Sequence, residues 1–301
     1  ALGRGACGAL ERGRMGCAGL LGALFVALLL ATALPAWLYV AATDACRCCL
    51  RRCCRRQQPS PAGDGFARRA AWLLRQGWRV AFCLCCWLRI DSGAPGALRE
   101  AGGAGRSVCI MGNHTSFMDT PVVLLVLPWR LLRNLRAMAM NKVFKMPVIG
   151  RLARAQGHFP VHFKSGEQGN FAVDRDKMAD VMAGLDRYLE GGGNLLIFPE
   201  GHINQDWRQV TEFRVGGIEI CIKHDLEIWA LVMTGNATAW PKGTFCGGGP
   251  ARLRSRAVLL HASAKEASEA LAPGAELRAQ AVALADSCRA RMQEALDEML
   301  A

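Results

Sequence analysis

Between Arg14 and Asp44 the chain carries no charged side chain. The centre of this run, residues 18–42, is apolar almost throughout. A helix needs about 20 such residues to cross the hydrocarbon core of a bilayer, so the pattern predicts a membrane-spanning segment. Pro35 lies in its second half, where a kink is tolerated, and Trp37 and Tyr39 suit an interfacial belt. Two other readings compete: a secretory leader, whose apolar region is usually shorter at about 7–15 residues, and a buried core helix. Arg4, Arg12 and Arg14 precede the run, whereas Arg47, Arg51, Arg52, Arg55 and Arg56 come after it. The excess on the second side places the remainder of the chain in the cytoplasm.

Residues 57–65 read as a linker. Residues 66–90 mix Trp72, Trp78 and Trp87 with five arginines. They predict one helix, lying in the membrane interface or packed as an ordinary amphipathic helix. Residues 92–105 read as a loop rich in Gly and Ala. Beyond them, short apolar runs alternate with helical periodicity. Strands are expected at 107–111, 135–140, 159–163, 195–198, 227–233 and 256–261. Helices are expected at 116–127, 142–155 (interrupted at Pro147), 174–189, 215–223 and 277–300. The last has an apolar stripe of Leu277, Ala281, Leu284, Cys288, Met292 and Leu296. The expected fold class is α/β: a mixed, mostly covered β-sheet flanked by helices, preceded by a transmembrane helix and an interfacial helix. The corresponding segments are 1–56 (anchor with a basic, Cys-rich flank), 57–105 (linker and interfacial helix) and 106–301 (α/β domain).

Composition narrows the partners. With 51% apolar residues in 301, the chain is not disordered. It begins on Ala1, as a fragment or a processed product would. The net charge of +12 is concentrated before residue 90. Beside an apolar helix, such arginines attract anionic lipid headgroups; no nucleic-acid motif accompanies them, so nucleic acid is not an expected partner. Cys46, Cys48, Cys49, Cys53 and Cys54 interleave with the arginines. They read as S-acylation sites, as apolar filler, or as zinc ligands, although the spacing fits no common zinc pattern. His158 and His162, four apart, are packed or solvated histidines, or else a metal pair; no metal is expected.

Chemistry concentrates at two places. Asn113-His114-Thr115-Ser116-Phe117-Met118-Asp119 follows a strand and opens a helix, with Asp119 expected about one helical turn in. There a carboxylate can fold back onto the imidazole, fix its tautomer and leave the other ring nitrogen basic. Phe198-Pro199-Glu200-Gly201 ends a strand and enters a loop, where α/β sheets place ligands. A lone His–Asp pair is more often structural, and Glu200 could instead satisfy backbone donors.

Together these motifs resemble the glycerolipid acyltransferase family typified by lysophosphatidic acid acyltransferase, over residues 107–233. The resemblance implies that 106–301 is an acyltransferase catalytic domain. His114 would be the base and Asp119 its orienter, with Glu200 and Gly201 at the acceptor site. It implies one-step transfer from acyl-CoA or acyl carrier protein, as co-substrate and not as cofactor, to a lysophospholipid acceptor. Residues Phe213, Arg214 and Gly216 look like a further family element. The expected location is an internal membrane such as the endoplasmic reticulum, with membrane lipids as partners and the catalytic domain facing the cytoplasm. Two family arginines that hold the acceptor phosphate are replaced here: Phe163 stands at one position, with Lys164 next, and Ile203 at the other, after His202. Lys164, His202, Arg208 and Arg214 are the candidate substitutes. The prolines usual in the last apolar strand are also missing. A neutral acceptor, a larger lysophospholipid, or a degenerate lipid-binding protein are the rival readings.

Overall fold

The structure is a computed structural model that describes residues 3–53, 64–163, 173–244 and 246–301. Its centre is a seven-stranded sheet: β1 (Leu88–Ser92), β2 (Val108–Gly112), β3 (Leu135–Met140), β4 (Phe159–Val161), β5 (Asn194–Ile197), β6 (Glu227–Thr234) and β7 (Ala251–His261). The spatial order is β1-β7-β6-β2-β5-β3-β4. Strands β6, β2, β5, β3 and β4 run parallel, while β7 pairs antiparallel to β6 and β1 parallel to β7. Every residue of β2, β5 and β6 is buried. That is why these runs lack alternation: helices cover both faces, as a parallel sheet requires.

On one face lie the long helix α1 (Gly3–Cys53), α2 (Asp64–Leu84) and the helix Asp119–Val126. The opposite face carries Val215–Lys223, Ala264–Leu271 and Leu277–Leu300. The helices that come after β2 and β5 thus go to opposite faces. A crevice at the carboxyl ends of those two strands results, and α/β sheets bind ligands in such crevices.

The apolar helix does not stand away from the domain. Residues Gly19–Cys46 of α1 are long and apolar enough to cross a membrane. Even so, Phe25, Leu29, Ala33, Ala36 and Val40 are buried in the same core as the sheet, while Leu20, Leu24, Leu30, Leu34 and Leu38 face outward. α2 lies antiparallel against it: Trp78 Nε1 donates to the Leu29 carbonyl at 3.2 Å, and Phe25 meets Phe82 edge-on at 5.2 Å. Gly77 permits this approach, since a Cβ there would fall 1.9 Å from the Thr32 carbonyl oxygen. Arg75 of α2, also buried, donates to the carbonyls of Leu125 and Leu127 at 3.1 and 2.9 Å. These are orphan acceptors at the end of the helix that Asp119 begins. Facing away from α1, α2 exposes Trp72, Val80 and Leu84. It is therefore both a packed amphipathic helix and an outward apolar surface.

Several expectations change. The helix expected at 66–90 stops at Leu84, and Leu88–Ser92 becomes the edge strand β1. The antiparallel strand β7 offers it an unpaired edge, and Trp87 pins the turn through Nε1 to the Gly248 carbonyl at 2.7 Å. β7 begins five residues earlier than expected. In Ala251–Ala257 the arginines at 252, 254 and 256 face solvent while Leu253, Ser255 and Ala257 are buried, a period-2 pattern obscured by its charge. Residues 92–105 contain the short helix Ala94–Ala97 and a 3₁₀ turn, Gly103–Gly105. Trp129–Leu132 and Ala264–Leu271 are further helices. The latter is capped by Ser263, whose hydroxyl accepts from the Glu266 amide, a Ser-x-x-Glu signature present in the sequence. The interruption at Pro147 separates a 3₁₀ turn, Val143–Lys145, from the helix Ile149–Ala155. Phe163 lies beyond β4, which ends at Val161, and forms an isolated antiparallel bridge to Val173. Leu277 is exposed, while the rest of its expected stripe is buried. Cys54 lies outside the described residues, and Cys46 is exposed.

His158 is a packing residue: its Nδ1 accepts the Ala137 amide of β3 at 3.1 Å. Burial, reinforced by the Arg136 guanidinium, pushes it down to about 4. Among the described residues no group of three or more potential ligands could hold a metal.

This packing is open to two tests. Gly77→Leu should push α1 and α2 apart and cost about 1–3 kcal/mol, read as a lower unfolding midpoint in detergent; an unchanged midpoint would show that the close approach is dispensable. Because His158 holds its proton less tightly when folded, the unfolded chain binds more protons between about pH 6.5 and pH 4. Stability should therefore fall across that window as pH drops, by up to about 3 kcal/mol from this residue. Urea unfolding of His158→Gln should show a shallower pH dependence than the parent.

Candidate active site

Strand β2 ends at Gly112 and leads directly into the first motif. The buried Asn113 side chain clamps that end to β6: its Nδ2 donates to the Met233 carbonyl at 2.9 Å and its Oδ1 accepts the Met233 amide at 2.8 Å. At Gly112 a Cβ would lie 2.7 Å from the Phe198 ring. The glycine therefore lets Phe198, just past β5, cross the end of β2 and stack on the His114 ring, centroids 4.4 Å apart.

Asp119 is the first residue of its helix rather than one turn in. The intervening turn carries its carboxylate back over the motif. Oδ2 accepts from His114 Nδ1 at 2.9 Å and from the amides of Thr115 and Ser116 at 2.8 and 2.9 Å. Oδ1 accepts from Asn236 Nδ2 at 2.7 Å. The carboxylate is completely buried, and four donors compensate it, as a buried charge demands. With Asp119 accepting at Nδ1, the ring proton sits on that nitrogen, and Nε2 is left as the basic atom. The imidazole remains about one-fifth exposed.

Glu200 is 1% exposed and both its oxygens are engaged within the protein. Oε1 accepts the His114 amide at 2.8 Å; Oε2 accepts the Thr211 hydroxyl at 2.6 Å and its amide at 3.2 Å. Glu200 thus satisfies backbone donors and braces the two motif loops against each other. A second tie runs from the Asn204 amide to the His114 carbonyl, 2.6 Å. Gly201 adopts φ +72°, and a Cβ there would meet Arg214 Cγ at 2.9 Å. Its absence lets the exposed Arg214 side chain lie across the loop, while the Arg214 amide bonds the Pro199 carbonyl at 2.7 Å.

The structure therefore brings together His114, Asp119, Glu200, Gly201, His202 and Arg214. His202 is exposed, with Nδ1 2.9 Å from the Glu200 carbonyl oxygen. Arg208 stacks over Trp207, 4.1 Å from its ring centroid. Lys164 lies outside the described residues. Sequence reasoning missed Asn236 and Thr211 and gave no role to Asn113. Asn113 and Asn236 act through bonds that cross from one strand end to another, and Thr211 through a bond across the long loop after β5.

A parallel-sheet crevice thus holds an imidazole oriented through Nδ1, with no Ser or Cys bonded to it among the described residues, an arrangement that can serve general-base chemistry. Residues 97–234, a little under half of the chain, match the family model described as Acyltransferase. The chain is 24% identical over 153 residues to the 1-acyl-sn-glycerol-3-phosphate acyltransferase of Limnanthes douglasii, covering 51% of this chain and 50% of that one. The corresponding protein of Limnanthes alba is 25% identical over 162 residues, 54% and 52%. The chain thus spans about half the length of the curated relatives it matches. Its fold is similar to the crystal structure of the 1-acyl-sn-glycerophosphate (LPA) acyltransferase PlsC from Thermotoga maritima. The TM-score is 0.59 at 15% identity, covering 96% of this chain and 98% of that one.

Glu200→Gln keeps the size of the side chain but gives one loop a donor where it needs an acceptor. We expect kcat to fall about 10–100-fold, the scale of a small misplacement of the base, with the folded state retained by circular dichroism. Undiminished turnover would remove the bracing role.

Proposed function

We propose that the protein transfers a fatty acyl group from acyl-CoA, or from acyl carrier protein, to the free hydroxyl of a lysophospholipid. The first choice of acceptor is 1-acylglycerol-3-phosphate, which would yield phosphatidic acid for phospholipid biosynthesis. The carrying observation is the His114–Asp119 pair, whose carboxylate is completely buried and held by four donors while the imidazole stays about one-fifth exposed. The names of the relatives support the substrate class.

In this reading Nε2 removes the acceptor's hydroxyl proton as the oxygen attacks the thioester carbonyl. Asp119 holds the resulting imidazolium. Collapse of the tetrahedral intermediate breaks the C–S bond, and the thiolate takes the proton back from His114. The ester and free CoA leave, the imidazole is restored, and no covalent enzyme intermediate forms.

Arg214 is the first candidate for the acceptor phosphate, because Gly201 lets its stem lie beside the motif loop; His202 is the second. An Arg fork binds phosphate bidentately, which His cannot do. A second acceptor reading, a neutral glycerolipid or a lysophospholipid with a larger headgroup, is favoured by Phe163 and Ile203 standing where the family places arginines.

The lipid substrate fits the location we infer, an internal membrane with the site on its cytoplasmic side. The exposed leucine row of α1, the outward face of α2 and the exposed Phe117 beside His114 form the apolar surface. Since the domain covers the other side of α1, lipid would meet that helix on one face only.

The test is transfer of radiolabelled acyl-CoA to a panel of lysolipids in vesicles. His114→Ala should lose about 10²–10⁴-fold in rate; equal turnover by parent and variant would sink the mechanism. Arg214→Ala should raise KM for 1-acylglycerol-3-phosphate but leave a neutral acceptor unaffected.

A further inference from the structure

We propose that Asn236 is a positioning residue of this site, the group that fixes Asp119 and, through it, His114. The inference rests on the acyl-transfer reading above and assigns a role to a residue outside both motifs.

Strand β6 is buried along its whole length and ends at Thr234. Gly235 then turns the chain at φ +83°, and a Cβ there would lie 2.1 Å from the Arg252 carbonyl oxygen on β7. Only glycine fits that turn, and the turn delivers Asn236 into the space behind Asp119. Asn236 is fully buried. Its Nδ2 donates to Asp119 Oδ1 at 2.7 Å and approaches the Met233 sulfur at 3.6 Å. Its own Oδ1 is buried without a hydrogen-bond partner among the described residues.

That orphan oxygen identifies what the residue is for. Leaving a buried carbonyl unsatisfied is unfavourable. Turning the amide over would set its oxygen against the Asp119 carboxylate, which is worse. The side chain is thus held in its one tolerable orientation through Nδ2, chiefly by Asp119 with the weaker contact to the Met233 sulfur beside it. In return, among the described residues Oδ1 of Asp119 has this single donor, whereas Oδ2 has three. Lost together with Asn236 would be the constraint on rotation of the carboxylate about its Cβ–Cγ bond, and so the direction in which Nδ1 is held.

The charged groups around the pair are few among the described residues. Glu200 reaches it through the His114 amide. His202, Arg214 and Lys242 stand on neighbouring loops, and their contacts run to the Glu200 carbonyl, across Gly201, and to the Ile203 carbonyl. None of them replaces the Asn236 donor.

The test compares the parent, Asn236→Ala, Asn236→Asp and His114→Ala, each as the full chain in vesicles, with radiolabelled acyl-CoA and 1-acylglycerol-3-phosphate from pH 5 to 9. For Asn236→Ala we expect kcat to fall at least tenfold with both KM values within about twofold. The acid limb of its rate profile should move to higher pH, because a carboxylate with one donor fewer makes the His–Asp pair hold a proton more tightly. Asn236→Asp has nearly the same volume, so it separates loss of the donor from loss of packing. At neutral and higher pH it opposes one carboxylate with another; on acidification the two share a proton and a donor returns. Above the acid limb its rate relative to the parent should therefore rise as pH falls, and through that limb the ratio should drop, because the added carboxylate also favours the protonated imidazole. A flat ratio, or an Asn236→Ala enzyme whose loss equals its unfolded fraction with an unshifted profile, overturns the proposal. If Asn236 variants match the parent while His114→Ala is dead, this inference fails and the acyl-transfer reading stands. If His114→Ala turns over like the parent, the reading beneath it fails.

Discussion

The Asp119 carboxylate, sealed from water, is the constraint around which the site is arranged. A bare carboxylate there would be prohibitively unfavourable, so its surroundings must supply donors on every side. They come from different elements: two amides and an imidazole from the turn after β2, and an amide side chain from the turn after β6. Satisfying the charge therefore fixes where those strand ends lie relative to each other. Asn113 repeats the linkage one residue earlier, pairing with both backbone groups of Met233. Glu200 performs the same service between the loops after β2 and β5. The imidazole of His114 is then held through its residue's amide and carbonyl, its ring face and its Nδ1.

Much of this was legible in the chain itself. The two motifs are short and local, and their residue types state their chemistry. Uninterrupted apolar runs such as Ile228–Met233 mark strands covered on both faces, and the helices at 215–223 and 277–300 can be read from period and punctuation. What escaped has a common cause. Asn236 matters because of a neighbour 117 positions away, and β1 exists because β7 has an edge to fill. Neither fact leaves a local trace. The capping of Ala264–Leu271 by Ser263 was written plainly and overlooked. Glu200 shows the opposite problem: its position in the motif was evident, but only the fold reveals that it faces backbone amides.

The apolar N-terminal region teaches a related lesson. Hydropathy alone describes a helix that could cross a bilayer, and it cannot say that one side of that helix is already occupied. The domain and α2 occupy it, with Phe25 touching Trp240 at 6.3 Å and Trp240 accepting the Ser116 hydroxyl at its carbonyl. Thus a few contacts lead from the apolar helix to the motif that carries His114. Arg75 makes a second route, from α2 to the carbonyls that close the helix begun by Asp119.

That guanidinium also sets a limit on how the molecule can be handled. Cutting away everything before β1, the usual way to free a fragment from an apolar helix, would strip α1 and α2 from one side of the sheet and leave the helix Asp119–Val126 there without its cover. It would leave the Leu125 and Leu127 oxygens without their donor. In this protein the helix that is long and apolar enough to cross a membrane is also part of the interior.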